Sequence, residues 1–95
     1  MSRMISTFLC ADTEALFRRR RVARFANFER VALRKLEQLA AAERIEDLRV
    51  PPGNRLEQLR GDRAGQWSIR INDQFRLCFR WMDGGALDVE IVDYH

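Results

Sequence analysis

Two runs of alternating residues, joined by Asn72-Asp73, constrain this chain more than anything else in it. Trp67, Ile69 and Ile71 alternate with Ser68 and Arg70, and Phe75, Leu77, Phe79 and Trp81 alternate with Arg76, Cys78 and Arg80. A period of two sends successive side chains to opposite sides, so each run reads as a strand with one face in the core. Asn and Asp both tolerate positive φ, and two such residues between strands predict a tight hairpin. The aromatic face belongs inside. The opposite face then sets Arg70, Arg76 and Arg80 side by side on a rigid sheet, either as a solvated surface or as a site for a polyanion.

The rest of the chain supplies what such a hairpin packs against. Ile5 to Leu9 is short and β-rich, an edge or lead-in strand. Asp12 offers an N-cap and Glu14 a negative charge in the first turn of a short helix through Ala15, Leu16 and Phe17. That helix runs into Arg18, Arg19, Arg20 and Arg21, which suit a solvated helix end or a docking site for an acidic partner or RNA phosphates. From Arg24 to about Ala42, Phe25, Phe28, Ala32, Leu36, Leu39 and Ala40 recur at three- and four-residue steps, predicting the longest helix, with one apolar stripe for the sheet. Glu43 to Asp47 adds a helical turn, and Pro51-Pro52-Gly53 ends it, because consecutive prolines cannot continue a helix. A strand around Leu56 and Leu59, a turn at residues 61–65, the hairpin, a second turn at Asp83-Gly84-Gly85 and a strand with Leu87, Val89 and Ile91 inward complete the chain. The order β-α-α-β-β-β-β predicts an α+β fold, helices on one face of a mainly antiparallel sheet, as one domain over residues 1–95.

Composition narrows the partners. A chain of 95 residues buries roughly 60–68% of its unfolded surface on folding, enough for a modest core. No apolar run approaches the ~20 residues that span a bilayer, and no long apolar segment opens the chain, so a cytoplasmic protein is expected. There Cys10 and Cys78, both within apolar patterns, read as reduced core residues. No Cys/His spacing suits a metal, and no cofactor is expected. Of 17 basic residues only Lys35 is lysine. Arginine presents a planar fork that matches phosphate, so a pI near 9.5 built from arginine points to a polyanion, although GC-rich codon usage gives the same bias.

Several of these residues gather on the polar side of the predicted sheet: Glu57 and Arg60 from one strand, Arg76 from the next, and Asp93-Tyr94-His95 at the end. His95 is the only histidine and has little to pack against. The runs Pro-Pro-Gly-Asn-Arg-Leu at 51–56, Arg-Gly-Asp-Arg at 60–63, Trp-Ser-Ile-Arg-Ile-Asn at 67–72, Gln-Phe-Arg-Leu-Cys-Phe at 74–79 and Val-Asp-Tyr-His at 92–95 resemble the HigB killer proteins, and so does the helix from Arg30 to Leu36. Those are toxins of type II toxin–antitoxin modules within the RelE/ParE superfamily. The resemblance implies a compact RelE-like fold and ribosome-dependent cleavage of mRNA. It places catalytic roles on Arg60, Arg76, Asp93, Tyr94 and His95. Glu57 stands where some relatives carry histidine, which leaves the base unassigned. A cognate HigA-like antitoxin with a helix-turn-helix domain is implied, with operator DNA bound only through it.

The residue types suit that chemistry. RNA is cut without added water when its own 2′-hydroxyl attacks the adjacent phosphate. The reaction needs a proton acceptor, positive charge around the phosphorane, and a donor for the leaving oxygen. Arginine forks meet the second need, with Arg76 foremost and Arg70, Arg80 and Arg18 to Arg21 as RNA-binding candidates. Glu57, Asp93 or His95 can move the proton, and Tyr94 can stack on a base or donate to phosphate. For Asp93 the competing role is a salt bridge that orients an arginine. A gyrase-inhibiting toxin of the ParE type on the same fold, and a non-catalytic RNA- or protein-binding module, are the alternatives.

Overall fold

In the computed structural model, which describes residues 5–94, four antiparallel strands lie in chain order. They are β1 (Glu57–Gln58), β2 (Trp67–Arg70), β3 (Phe75–Met82) and β4 (Gly85–Asp93). The segment from Ile5 runs parallel to β4 but meets it only through two isolated bridges, Ile5 to Ala86 and Phe8 to Val89, in place of the expected strand from Ile5 to Leu9. Two helices, α1 (Ala11–Phe17) and α2 (Glu29–Ala41), complete the α+β architecture. The hairpin parity holds. Ile69, Ile71, Leu77 and Phe79 are buried in a core with Phe25, Ala32, Leu36 and Leu39, while Trp67, Phe75 and Trp81 pack half-buried around it. Phe28 stacks on Phe75 with ring centroids 4.4 Å apart, closing the helix layer on the sheet. Buried Thr13 accepts a hydrogen bond from the Ile91 amide (3.0 Å), pinning α1 to β4.

Local details differ from expectation where side chains compete with the pattern. Asp12 is not an N-cap; it lies in the first turn of α1, and its carboxylate accepts from Arg24 Nε at 2.7 Å. The predicted single helix from Arg24 divides into a 3-10 segment, Ala23–Phe28, and α2. The Asn72-Asp73 link belongs to a wider connection: Ile71 and Asn72 amides both donate to Phe75 carbonyl, and neither Asn72 nor Asp73 has positive φ. Instead the Asn72 side-chain oxygen accepts from the Gln74 and Phe75 amides, an Asx turn that needs no left-handed residue. Asp83 and Gly84 do take positive φ (55° and 77°), making the second turn a tight hairpin of two residues.

A bulge corrects the last strand. Cys78 pairs with Glu90 but Arg80 pairs with Leu87, so β4 places an extra residue opposite Phe79. Asp88 absorbs it at φ 53°, with its amide donating to Thr7 Oγ1. Leu87, expected inside, therefore faces the arginine side opposite Arg80, and Ala86 takes its place in the core. Cys78 is buried on that same arginine side and Cys10 sits half-buried ahead of α1, so neither lies in the aromatic core; both are free thiols.

Candidate active site

The face of the sheet opposite the helices is roofed by its own long side chains. Ser68 and Cys78 lie there, yet neither is solvent-exposed. Arg63 spans above them, donating to Gln66 Oε1 (2.9 Å) and Glu90 Oε2 (3.0 Å). Desolvation under this cover pushes the Cys78 thiol up to about 11. Such a thiol is a packing group, not a nucleophile.

Arg76 is the best-fixed cation of this surface. It projects from β3 opposite Arg70 of β2, and its side chain keeps 12% of its accessible area. Its Nε donates to Ser68 Oγ at 2.8 Å and one Nη donates to the Arg55 carbonyl at 2.7 Å. Glu57 Oε1 stands 3.7 Å from the same Nη, and the Tyr94 ring centroid 5.9 Å from Cζ. Two arginines directly opposite each other on a sheet repel; here Glu57 beside Arg76, and Asp73, which holds Arg70 in an ion pair, offset that repulsion. An open cleft of about 500 Å³ runs over this group, lined by Gly53, Arg55, Arg70, Asn72, Asp73, Arg76 and Tyr94. Tyr94 is held at its rim by its amide, which donates to the Gln74 carbonyl at 2.7 Å.

The structure thus brings together Arg70, Arg76, Tyr94 and, at the edge, Glu57. Other expected residues lie elsewhere. Arg60 is exposed at the entry to the 3-10 turn Gly61–Arg63 and does not line the cleft. Asp93 pairs with Phe75 in register, on the helix side of the sheet, and accepts from Gln74 Nε2 at 3.0 Å. Arg80 sits toward the other end of β3, 3.5 Å from Asp88 Oδ2, with its guanidinium against Gly65. His95 lies outside the described residues. Arg18 and Arg19 are engaged by Glu14 and Glu37 (2.9 and 2.6 Å), while Arg19, Arg20 and Arg21 join Arg30 around a separate groove of about 320 Å³ floored by Leu16 and Leu33. Arg55 and Asn72, not among the expected site residues, both line the cleft. The only sequence signal for Arg55 was its place within the Pro-Pro-Gly-Asn-Arg-Leu run. Among the described residues no cluster of His, Cys, Asp and Glu could hold a metal ion.

As chemistry, the cleft offers forks for phosphate and an aromatic ring for a base, with the exposed Glu57 carboxylate outside its lining but 3.7 Å from the fixed guanidinium. Among the described residues no helix is long and apolar enough to cross a membrane. The chain is similar to Toxin HigB-1 of Vibrio cholerae, 52% identical over 63 residues, which are 66% of this chain and 66% of that protein. It is also similar to Endoribonuclease HigB of Proteus vulgaris, 39% identical over 41 residues, 43% of this chain and 45% of that one. The matched stretches thus span from under half to about two thirds of the length of these relatives. A YoeB/ParE toxin from Agrobacterium tumefaciens shares the fold, with a TM-score of 0.56 over 97% of this chain and 99% of that one at 21% identity. Residues 16–95 match the family model described as the RelE-like toxin of type II toxin–antitoxin system HigB, and the chain belongs to that HigB-like toxin family.

Proposed function

We propose that this protein is the toxin of a type II toxin–antitoxin module and cuts mRNA on the ribosome by attack of the 2′-hydroxyl on the adjacent phosphate. The observation that carries the reading is the fixed guanidinium of Arg76 in an arginine-lined cleft, with Glu57 and the Tyr94 ring around it. A relative named as an endoribonuclease supports the reaction class. Arg76 stabilises the charge that develops on the phosphorane, with Arg70 holding the scissile or neighbouring phosphate. Its guanidinium is already held by the Ser68 hydroxyl and the Arg55 carbonyl before substrate arrives, so little reorganisation is spent at the moment of reaction. Tyr94 stacks on an unpaired base at the rim. Glu57, on the same face of the sheet and 3.7 Å from Arg76, takes the 2′ proton in this reading, and the proton for the leaving 5′-oxygen is assigned to His95 on its chemistry alone. Asp93, on the other side of β4, orders the end of the strand through Gln74. Arg60 serves as an outlying phosphate contact. The proposed partners are a HigA-like helix-turn-helix antitoxin, the ribosome and its mRNA, all met in the cytoplasm, with operator DNA bound only through the antitoxin.

Expression in growing bacteria followed by mapping of mRNA 5′ ends tests this. New ends within translated messages are expected, with a 2′,3′-cyclic phosphate on the upstream fragment. Cleavage is expected to persist in chelator once ribosomes are assembled, because RNA supplies its own nucleophile. Growth arrest with intact messages and lost DNA supercoiling would transfer the protein to the gyrase-inhibiting branch. Neither toxicity nor cleavage would leave a non-catalytic binding module.

A further inference from the structure

The shortest of the three hydrogen bonds that Arg76 donates goes to a backbone group outside the sheet, the Arg55 carbonyl at 2.7 Å; the other two reach the Ser68 hydroxyl and carbonyl. That carbonyl is presented by Arg55 in the left-handed conformation, φ 47° and ψ 56°, with the Arg55 amide donating to the Pro52 carbonyl at 3.1 Å. A non-glycine residue there is strained and persists only where its surroundings hold it. Beyond that local bond, the surroundings that hold it are anchored one residue upstream. Asn54 is fully buried, and its amide nitrogen donates to Leu48 carbonyl (3.1 Å), Val50 carbonyl (3.4 Å) and Gln38 Oε1 (3.2 Å). Its side-chain oxygen accepts from Lys35 Nζ. Lys35 and Gln38 belong to α2, so these hydrogen bonds tie the helix to the loop that carries Arg55.

The single lysine of a chain otherwise built from arginine stands at this point. A compact ammonium on a flexible stem can meet one recessed amide oxygen, whereas a planar fork needs room for parallel contacts. Burial, then Arg34 and Arg70 nearby, lower the Lys35 pKa, so the ammonium is held there against an opposing desolvation cost.

We propose that Lys35 and Asn54 form a positioning pair for the cleft: they lock Arg55 in its left-handed conformation, from which its carbonyl fixes the Arg76 guanidinium. Neither residue touches substrate. Arg55 contributes twice, through its carbonyl to Arg76 and through its side chain to the cleft lining. The pair ties the helical layer to the site, so the geometry at Arg76 depends on α2 as well as on the sheet. The consequence for activity rests on the catalytic reading of Arg76 given above.

The test uses the full chain with Lys35→Met, which keeps the stem and removes the ammonium, and Lys35→Arg as the control for charge alone. Rotation of the Arg76 guanidinium, read from its side-chain NMR signals, should be slow in the unmodified protein and fast in Lys35→Met. Cleavage on programmed ribosomes should fall about 10- to 100-fold in kcat with KM little changed, the pattern of a misplaced transition-state contact. Lys35→Arg should fail to restore either. Combined with Arg76→Ala, Lys35→Met should add no further loss. Asn54→Asp, which keeps the oxygen toward Lys35 but removes the amide donors, should show the same defect if it folds. An unchanged Arg76 signal in Lys35→Met would overturn the positioning pair, whatever the activity. A mobile Arg76 with undiminished cleavage would leave the pair standing and overturn the catalytic reading of Arg76.

Discussion

Replacing Arg76 by alanine separates a catalytic guanidinium from a structural one, and the structure supplies both magnitudes. In the reaction, losing one preoriented donor to developing charge costs about 10²–10³ in rate, or about 2.7–4 kcal/mol. In the fold, the same change deletes the contacts to Ser68 Oγ and the Arg55 carbonyl. Ser68 is fully buried beneath the guanidinium, so its hydroxyl loses a partner in a confined place. Hydrogen bonds from charged groups contribute about 1.5–3 kcal/mol each, but the cleft is open and water can enter the vacated space, so a net loss of about 1–3 kcal/mol is expected. Each kcal/mol lowers Tm by about 4–8 °C in a domain of this size. Against a typical stability of about 5–15 kcal/mol the variant remains folded at 25 °C. Single-turnover cleavage on programmed ribosomes at 25 °C, after circular dichroism confirms the fold, measures the rate loss without that of stability. Arg76→Lys should recover only part of the rate, since an ammonium cannot reach Ser68, Arg55 and phosphate with one planar fork. A folded Arg76→Ala protein cutting at the unmodified rate would refute the site.

Three further outcomes check other parts of the molecule. Phe79→Ala, at a fully buried position in the centre of β3, should cost about 3–5 kcal/mol in denaturant unfolding; a negligible change would mean the hairpin faces are reversed. Neutralising Arg18 to Arg21 together should weaken ribosome binding and flatten its salt dependence by about 0.7–0.9 per lost phosphate contact, with most of the effect from Arg20 and Arg21 because Arg18 and Arg19 already face Glu14 and Glu37. Binding unchanged at every salt concentration would make the run a solvated helix end. The Cys78 thiol is raised from 9.0 to about 11 in the fold, so the native state holds its proton more tightly than the unfolded chain. Its contribution is fully present below about pH 9 and is lost as pH rises through about 11, worth up to about 2–3 kcal/mol. Unfolding of Cys78→Ala should lack that alkaline decline, and identical pH profiles would show that the thiol is not desolvated.

How much of this was legible in the sequence depends on the range over which each feature is decided. The hairpin faces were readable because a period of two is local and Ile69, Leu77 and Phe79 repeat it without interruption. The fate of Leu87 was not, because the bulge that turns it outward is set by Asp88 at positive φ and by Thr7, which is distant in sequence. Asp12 and Arg24 read separately as a cap and a helix start, while their ion pair exists only after α1 and the 3-10 segment pack.

The site divides along a similar line. That Arg70 and Arg76 share a face was legible from strand parity and both lie in the family motifs, whereas Glu57 stood outside those motifs and meets Arg76 only through the pairing of β1 with β2. Arg55 escaped because what it gives to Arg76 is a carbonyl, a group that every residue possesses and that only φ and ψ can aim. Asn54 escaped because an asparagine after Pro-Pro-Gly reads as loop composition, whereas its four polar contacts come from Lys35, Gln38 and two backbone carbonyls. One anomaly did point there. The only lysine among 17 basic residues donates to Asn54, the neighbour of Arg55, which does line the cleft. Composition therefore carried site information that motif reading passed over: the exception to the arginine bias locates the support, as the bias itself locates the surface.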